Sequence, residues 1–278
     1  MNILDQIKRI GLINDRLGYG LEALTYLQRV YRRGPGKSTK FVIFGTGRSG
    51  STLLVNLLNS NPNIFCDNEI FHRKTLNPKK FLDARVSICN RKIYGFKLLT
   101  YQLDKILHVS GEEFIHYLNN QGFKIIHLVR NNSIEQAISN IHAKKKRFYH
   151  QKGATRSNTG KLRIEIAELD RWYQNLQAQK EYEKKLLQDL PRIQVTYEQD
   201  LTDGQAQYAT IRKISTFLDT AFVTPKTDLV KIIPKDLSQI VENYGELLKY
   251  CRSKGIEHLL LPNIIETASG SGDPDGLP

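Results

Sequence analysis

Residues 41–60 read FVIFGTGRSGSTLLVNLLNS. Phe41–Phe44 is a short apolar run of the kind that makes a buried parallel strand. The run ends at Gly45, and Leu53, Leu54, Leu57 and Leu58 then recur at helical spacing from a start near Ser51. A small-residue loop leading into a helix start aims backbone N–H groups and the positive end of the helix dipole at one point, which makes an anion site. Glycines at 45, 47 and 50 allow close approach of a ligand, Ser51 and Thr52 add hydroxyl donors, and Arg48 adds a charge with a planar donor fork. Tight-turn geometry alone explains GTGRSGST poorly. The candidate binding surface is therefore Thr46, Gly47, Arg48, Ser49, Gly50, Ser51 and Thr52.

The spacing matches the phosphate-loop pattern GxxxxGK[ST], except that Ser51 stands where the lysine belongs and the cation is at Arg48. A nucleoside triphosphate enzyme needs that lysine on its β and γ phosphates and an acidic residue at a strand end for magnesium. Neither KIYGFKLL (92–99) nor KIIHLVR (124–130) offers one. The loop suits one phosphate-like group with a small charged appendage. A nucleotide-dependent kinase with a variant loop is the alternative reading.

Outward from the loop, apolar runs at 92–99, 124–129 and 192–197 alternate with segments of helical spacing, which predicts a single α/β domain, a phosphate-loop-like parallel sheet flanked by helices. Asn132–Glu135 is an N-cap and capping-box pattern, with Ile134, Ala137, Ile138 and Ile141 as the buried stripe of the helix it opens. A longer charged helix is expected over 165–190. Residues 142–163 contain eight Lys/Arg and no Asp/Glu, which reads as a mobile basic loop, either an active-site cover or a solvated flap. Residues 1–36 form an amphipathic helical segment interrupted near Gly18 and Gly20, packed on the domain or lying on a membrane. The domain proper spans 37–262, and 263–278 is a disordered tail.

A charge of +13 over 278 residues favours anionic ligands. Three widely spaced cysteines exclude a disulfide framework or zinc site and read as reduced thiols of a cytoplasmic chain. No apolar run is long enough for a membrane span, and no motif for DNA or RNA accompanies the basic charge.

GTGRSGSTLL resembles the 5′-phosphosulfate loop of sulfotransferases that use 3′-phosphoadenosine 5′-phosphosulfate (PAPS). HLVRNNSIEQAIS resembles that family's 3′-phosphate element, which implies Arg130 and Ser139 as its ligands, although the separation is nine residues where the family's commonest form has eight. VTYEQDL resembles the tyrosine-glutamate segment, which implies Tyr197 at the adenine edge, and the basic C-terminal region implies Lys231 or Lys235 near the nucleotide. The resemblance covers roughly 41–255 and implies a cytoplasmic enzyme with PAPS as donor, 3′-phosphoadenosine 5′-phosphate (PAP) as product, no metal, and a small-molecule or carbohydrate acceptor.

Sulfuryl transfer needs an in-line acceptor oxygen, a base for its proton, and cations for charge collecting on the departing phosphate oxygen. Arg48 and Lys97 are the cation candidates, since both belong at strand ends on the binding edge of the sheet, although Lys97 also reads as a strand-edge surface lysine. Glu69 lies 21 residues after Arg48 (69 − 48), the spacing of the catalytic glutamate in the protein-tyrosine branch, and is the first candidate for base. His72 and His108 are the alternatives, because the small-molecule branch uses a histidine. The acceptor walls are expected from 70–90, 142–163 and 222–240.

Overall fold

The computed structural model describes residues 3–31, 39–151, 161–229 and 236–260, with the side chains of 3–14 and 146–151 left out. In chain order the elements are α1 (Ile3–Tyr31), β1 (Thr39–Gly45), α2 (Ser51–Leu58), β2 (Ile64–Glu69), α3 (Pro78–Ile88) and β3 (Ile93–Leu99). There follow α4 (Thr100–Gln102), a π-helical turn (Leu103–Leu107), α5 (Gly111–Asn120), β4 (Phe123–Val129) and α6 (Ser133–Gln151). The rest is α7 (Ile166–Leu186), β5 (Arg192–Thr196), α8 (Tyr197–Asp200), α9 (Gly204–Phe217) and α10 (Tyr244–Ser253), with short 3₁₀ turns on either side of α10.

The five strands form one parallel sheet in the order β2-β3-β1-β4-β5, the α/β fold expected from the alternation of apolar runs and helical segments. Parallel strands need covered faces. Leu54, Leu57 and Leu58 of α2 with Ile211 and Ile214 of α9 cover one face, and Phe81 and Leu82 of α3, Phe114 and Ile115 of α5 and Leu186 of α7 cover the other. The chain leaves β1 toward β3 and β2 and later crosses to β4 and β5. The loop after β1 thus sits where the strand order reverses, the place at which open α/β sheets bind ligands.

Three segments differ from the sequence reading. Residues 64–69, where no strand was expected, form the edge strand β2; only Ile64 and Cys66 of it are buried, so its pattern is too short and polar to stand out. Helix α1 runs unbroken through Gly18 and Gly20. Gly18 serves packing: a Cβ there would lie 2.3 Å from the Lys74 carbonyl oxygen. Four residues on, buried Glu22 accepts hydrogen bonds from the backbone N–H groups of Leu76 and Asn77 at 2.6 and 3.0 Å, joining α1 to the start of α3. The basic stretch from 142 is not a loop over its first half, because α6 continues to Gln151; residues 152–160 lie outside the described residues. Lys231 and Lys235 lie outside them as well.

The cap of α6 is assembled differently from the local pattern. Asn132 Oδ1 does accept from the Glu135 N–H at 2.9 Å, as an N-cap should. The Asn132 N–H, however, donates to Glu198 Oε1 at 2.9 Å, and the Glu135 carboxylate accepts from Arg130 at 2.6 Å. A carboxylate from α8 has taken the reciprocal half of the box, which releases Glu135 for the arginine.

Candidate functional site

The loop between β1 and α2 is held in an unusual backbone shape. Gly50, the N-cap of α2, has φ 90°, and a Cβ there would fall 2.5 Å from the Tyr197 ring, so geometry and packing both require glycine. Having no side chain, it leaves the first-turn N–H groups of α2 uncapped and open to an anion. Arg48 also has positive φ, 62°, a conformation that costs a non-glycine residue of order 1–3 kcal/mol unless its surroundings impose it. They do so at both ends. Arg130 Nη1 donates to the Arg48 carbonyl at 3.1 Å, and Arg48 Nε donates to Ser139 Oγ at 2.9 Å. Gln136 binds the rest of the loop, its Nε2 donating to Thr46 Oγ1 at 2.8 Å and to the Gly47 carbonyl at 2.7 Å. Within the loop, Ser49 Oγ donates to the Thr46 carbonyl at 2.8 Å.

On the β3 flank of the loop, Lys97 is 4% exposed, so it is no surface lysine. Its ammonium is 3.0 Å from Glu69 Oε1 and donates to Thr52 Oγ1 in the first turn of α2 at 3.4 Å. Register explains the meeting. Glu69 pairs directly with Lys97 across β2 and β3, after an irregularity between Asp67 and Glu69 that re-aims the end of the edge strand. Without that shift, period-two alternation would put Asp67 and Glu69 on one face. Instead Asp67 pairs with Arg85 of α3 at 2.5 Å and accepts from the Tyr94 hydroxyl at 3.1 Å, while Glu69 faces Lys97. The second oxygen of Glu69 accepts from Gln102 Nε2 at 3.0 Å and from the Tyr101 hydroxyl at 3.4 Å. Gln102 is fully buried, and its own Oε1 accepts from the Leu99 N–H at 2.9 Å, so its amide orientation is set by the backbone.

His72 is exposed, and its Nδ1 lies 2.7 Å from the Glu69 carbonyl oxygen, on the main chain and apart from the carboxylate cluster. His108 ends the π-helical turn, exposed and with φ 52°. Neither contacts the Lys97 ammonium.

On the β4 flank, Arg130 is 5% exposed and heavily committed. Its Nη2 pairs with Glu135 at 2.6 Å, its Nε is 3.8 Å from Glu198, too far for a hydrogen bond and otherwise unpartnered, and its plane lies over the Tyr197 ring at 4.6 Å. Burial raises the Tyr197 pKa, with Arg130 opposing, so its hydroxyl stays protonated near neutral pH. Behind this cluster Lys180 of α7 donates to Ser133 Oγ at 2.6 Å. Burial lowers its pKa from 10.5 to about 8, with Arg130 adding to the effect and Glu198 and Glu183 opposing it.

The structure brings together Arg48, Ser139, Arg130 and Tyr197 on one flank, and Thr52, Lys97 and Glu69 on the other. Arg48 and Lys97, the two cation candidates of the sequence reading, lie on different flanks of the loop, Arg48 turned to Ser139 and Lys97 to Thr52 and Glu69. Gln136 shares a helix face with Ser139 at i, i+3 and was findable on that spacing. Gln102 and Tyr101 carry no sequence signal that sets them apart, whereas Glu198 is the glutamate of the VTYEQDL segment. Among the described residues, no group of three or more His, Cys, Asp or Glu side chains is arranged to hold a metal ion, and no helix is long and apolar enough to cross a membrane. Cys66, Cys89 and Cys251 are free and buried.

No protein-family model matches the chain, and no curated protein matches it. Among solved structures it is similar to a sulfotransferase from Alicyclobacillus acidocaldarius at 15% sequence identity and a TM-score of 0.47, over 80% of this chain and 95% of that one.

Proposed function

We propose that the protein is a PAPS-dependent sulfotransferase of the cytoplasm that transfers the sulfuryl group to a hydroxyl, in second place an amine, of a small natural product or carbohydrate. The observation that carries this reading is the buried Lys97 held between Thr52, in the first turn of the anion-binding helix, and Glu69. A cation and a carboxylate are thereby fixed beside the place where the end of an anionic donor must lie. The GTGRSGSTLL loop with Ser51 in place of the usual lysine supports a phosphosulfate over a triphosphate.

The residues present fit such a donor. The uncapped N–H groups of α2, with Ser51 and Thr52, suit the 5′-phosphosulfate end. Arg48, Ser139 and the unpartnered Nε of Arg130 offer donors for a second phosphate, and the Tyr197 ring beside Gly50 offers a face for the adenine. Lys231, outside the described residues, retains the role that the sequence resemblance implies.

When bound, the donor supplies the sulfuryl group: its S–O bond to the phosphate breaks as the acceptor oxygen bonds to sulfur, and PAP leaves with the electron pair. Glu69 takes the acceptor proton, the role of the corresponding glutamate in the protein-tyrosine branch that its spacing resembles. Gln102 and Tyr101 orient its carboxylate. Lys97 lies where it can answer negative charge on the transferred group. Arg48 and Arg130 fix the loop.

The test is thermal denaturation with PAP and, separately, with magnesium-ATP, beside transfer of labelled sulfate. PAP raises Tm and magnesium-ATP does not, because a ligand of the native state stabilises it by mass action. A Tm shift with magnesium-ATP alone, together with ATP hydrolysis lost in Thr52→Ala, would establish the kinase alternative.

A further inference from the structure

We infer that the acceptor enters through the cleft between α5 and α7, and that it is an uncharged, hydroxyl-rich ring compound such as a neutral glycoside. The cleft has a volume of about 880 Å³, within the range of sites that hold drug-sized ligands. Its walls are the Thr100–Lys105 segment, the start of α5 and one face of α7. None comes from 70–90, 142–163 or 222–240, where acceptor walls were expected.

Three observations decide what it takes. The first is its connection to the reacting carboxylate. Tyr101 lines the cleft, and its hydroxyl reaches Glu69 Oε2 at 3.4 Å, so a molecule lying against this ring has the base at its end. The second is a pair of rings. Tyr101 and Tyr182, both lining the cleft, are 40% and 41% exposed, offering apolar faces with polar tips. Tyr182 is admitted by Gly111, where a Cβ would lie 2.1 Å from its hydroxyl. Rings of this kind pack against the C–H face of a sugar while their hydroxyls hydrogen-bond at the edge.

The third is charge. The chain as a whole carries +13, yet the cleft lining holds Asp104, Glu112 and Asp189 against Lys105 and Lys185, with His116 beside them. Lys105 is further engaged by Asp104 at 2.6 Å. A sulfated or phosphorylated acceptor finds no excess of cations here despite the basic chain. Carboxylates and the amides of Asn175 and Gln179 accept hydrogen bonds from hydroxyl groups, which a planar phenol with a single hydroxyl largely leaves unused.

The transfer itself rests on the sulfotransferase reading, but occupancy of the cleft can be measured without it. Titration of the full chain with neutral mono- and disaccharide glycosides, heparin-derived oligosaccharides and simple phenols is compared with Ala178→Trp, which fills the cleft from an exposed position on α7, and Tyr182→Ala. A neutral glycoside binds the wild type best, and both variants weaken it at least 10-fold while the Tm shift with PAP stays unchanged. The inference fails if no glycoside binds, if a sulfated oligosaccharide or a phenol binds more tightly, or if both variants leave glycoside affinity as it was. Absence of the PAP shift in the wild type would instead sink the donor reading, with the glycoside titration still deciding the cleft.

Discussion

The two flanks of the phosphate loop hold charges of both signs but use them differently. On the β4 flank Arg130 is pinned by Glu135, by Tyr197 and by the Arg48 carbonyl, and its environment explains why a strained loop keeps its shape. On the β3 flank Lys97 and Glu69 form a single pair whose carboxylate remains partly open to solvent. Loss of one partner in a fully desolvated network strands the others, whereas a pair at a cleft edge can be relaxed by water. On the proposed function, the β4 flank is where the site is built and the β3 flank is where it reacts.

Variants that separate turnover from stability test that contrast. The largest effect on turnover is expected for Glu69→Gln, which keeps the shape but removes the proposed proton acceptor; sulfate transfer falls about 10²–10⁴-fold, far out of proportion to the fall in Tm that follows from leaving the buried Lys97 without its carboxylate. Wild-type turnover in this variant would move the base elsewhere, and His72→Ala would then be the next measurement. Arg130→Met should behave in the opposite way, costing about 3–5 kcal/mol in denaturant unfolding because Glu135 and Glu198 are left without their cation. A loss of activity at full stability would show that Arg130 serves the ligand more than the loop.

Gln102→Leu is smaller, since it leaves Glu69 and its lysine in place; along with the backbone bond from the Leu99 N–H it removes one hydrogen bond that orients Glu69, worth about 1 kcal/mol for turnover. Its signature is a lower kcat at unchanged KM for the donor, about fivefold by that energy. The smallest effect belongs to Lys180. Its folded pKa, about 8, lies below its ordinary 10.5, so the unfolded chain binds the proton more tightly between those values and stability must rise with pH across them. Thermal denaturation from pH 7 to 10.5 should show wild type gaining on Lys180→Met; a constant difference would mean that the lysine titrates normally.

Much of the fold was legible because its signals are local. The run at 41–45, the strands at 92–99, 124–129 and 192–197 and the α6 stripe all show their period within a few residues. Strand β2 was missed because only two of its six positions are buried, which leaves almost no pattern to read. Helix α1 was read as broken because glycine disfavours helix interiors, but Gly18 is there to let the Lys74 carbonyl come close. The basic stretch reads as a loop from its charge together with Gly153 and Gly160, and charge does not prevent a helix; α6 continues through its first ten residues.

The sequence by itself determined the loop, its glycines, its missing lysine and the residue types available around it, since backbone conformation and helix starts depend on neighbours along the chain. Only tertiary structure decided which of those residues meet. Glu69 reaches Lys97 through a register shift in a strand the sequence hid, and Gln102 turns toward Glu69 from α4, just past the end of β3. Arg48 turns toward Ser139 on α6 while Arg130 braces its carbonyl. Pairings of this kind depend on strand order and on which partner satisfies each buried charge, and neither is encoded in spacing along the chain.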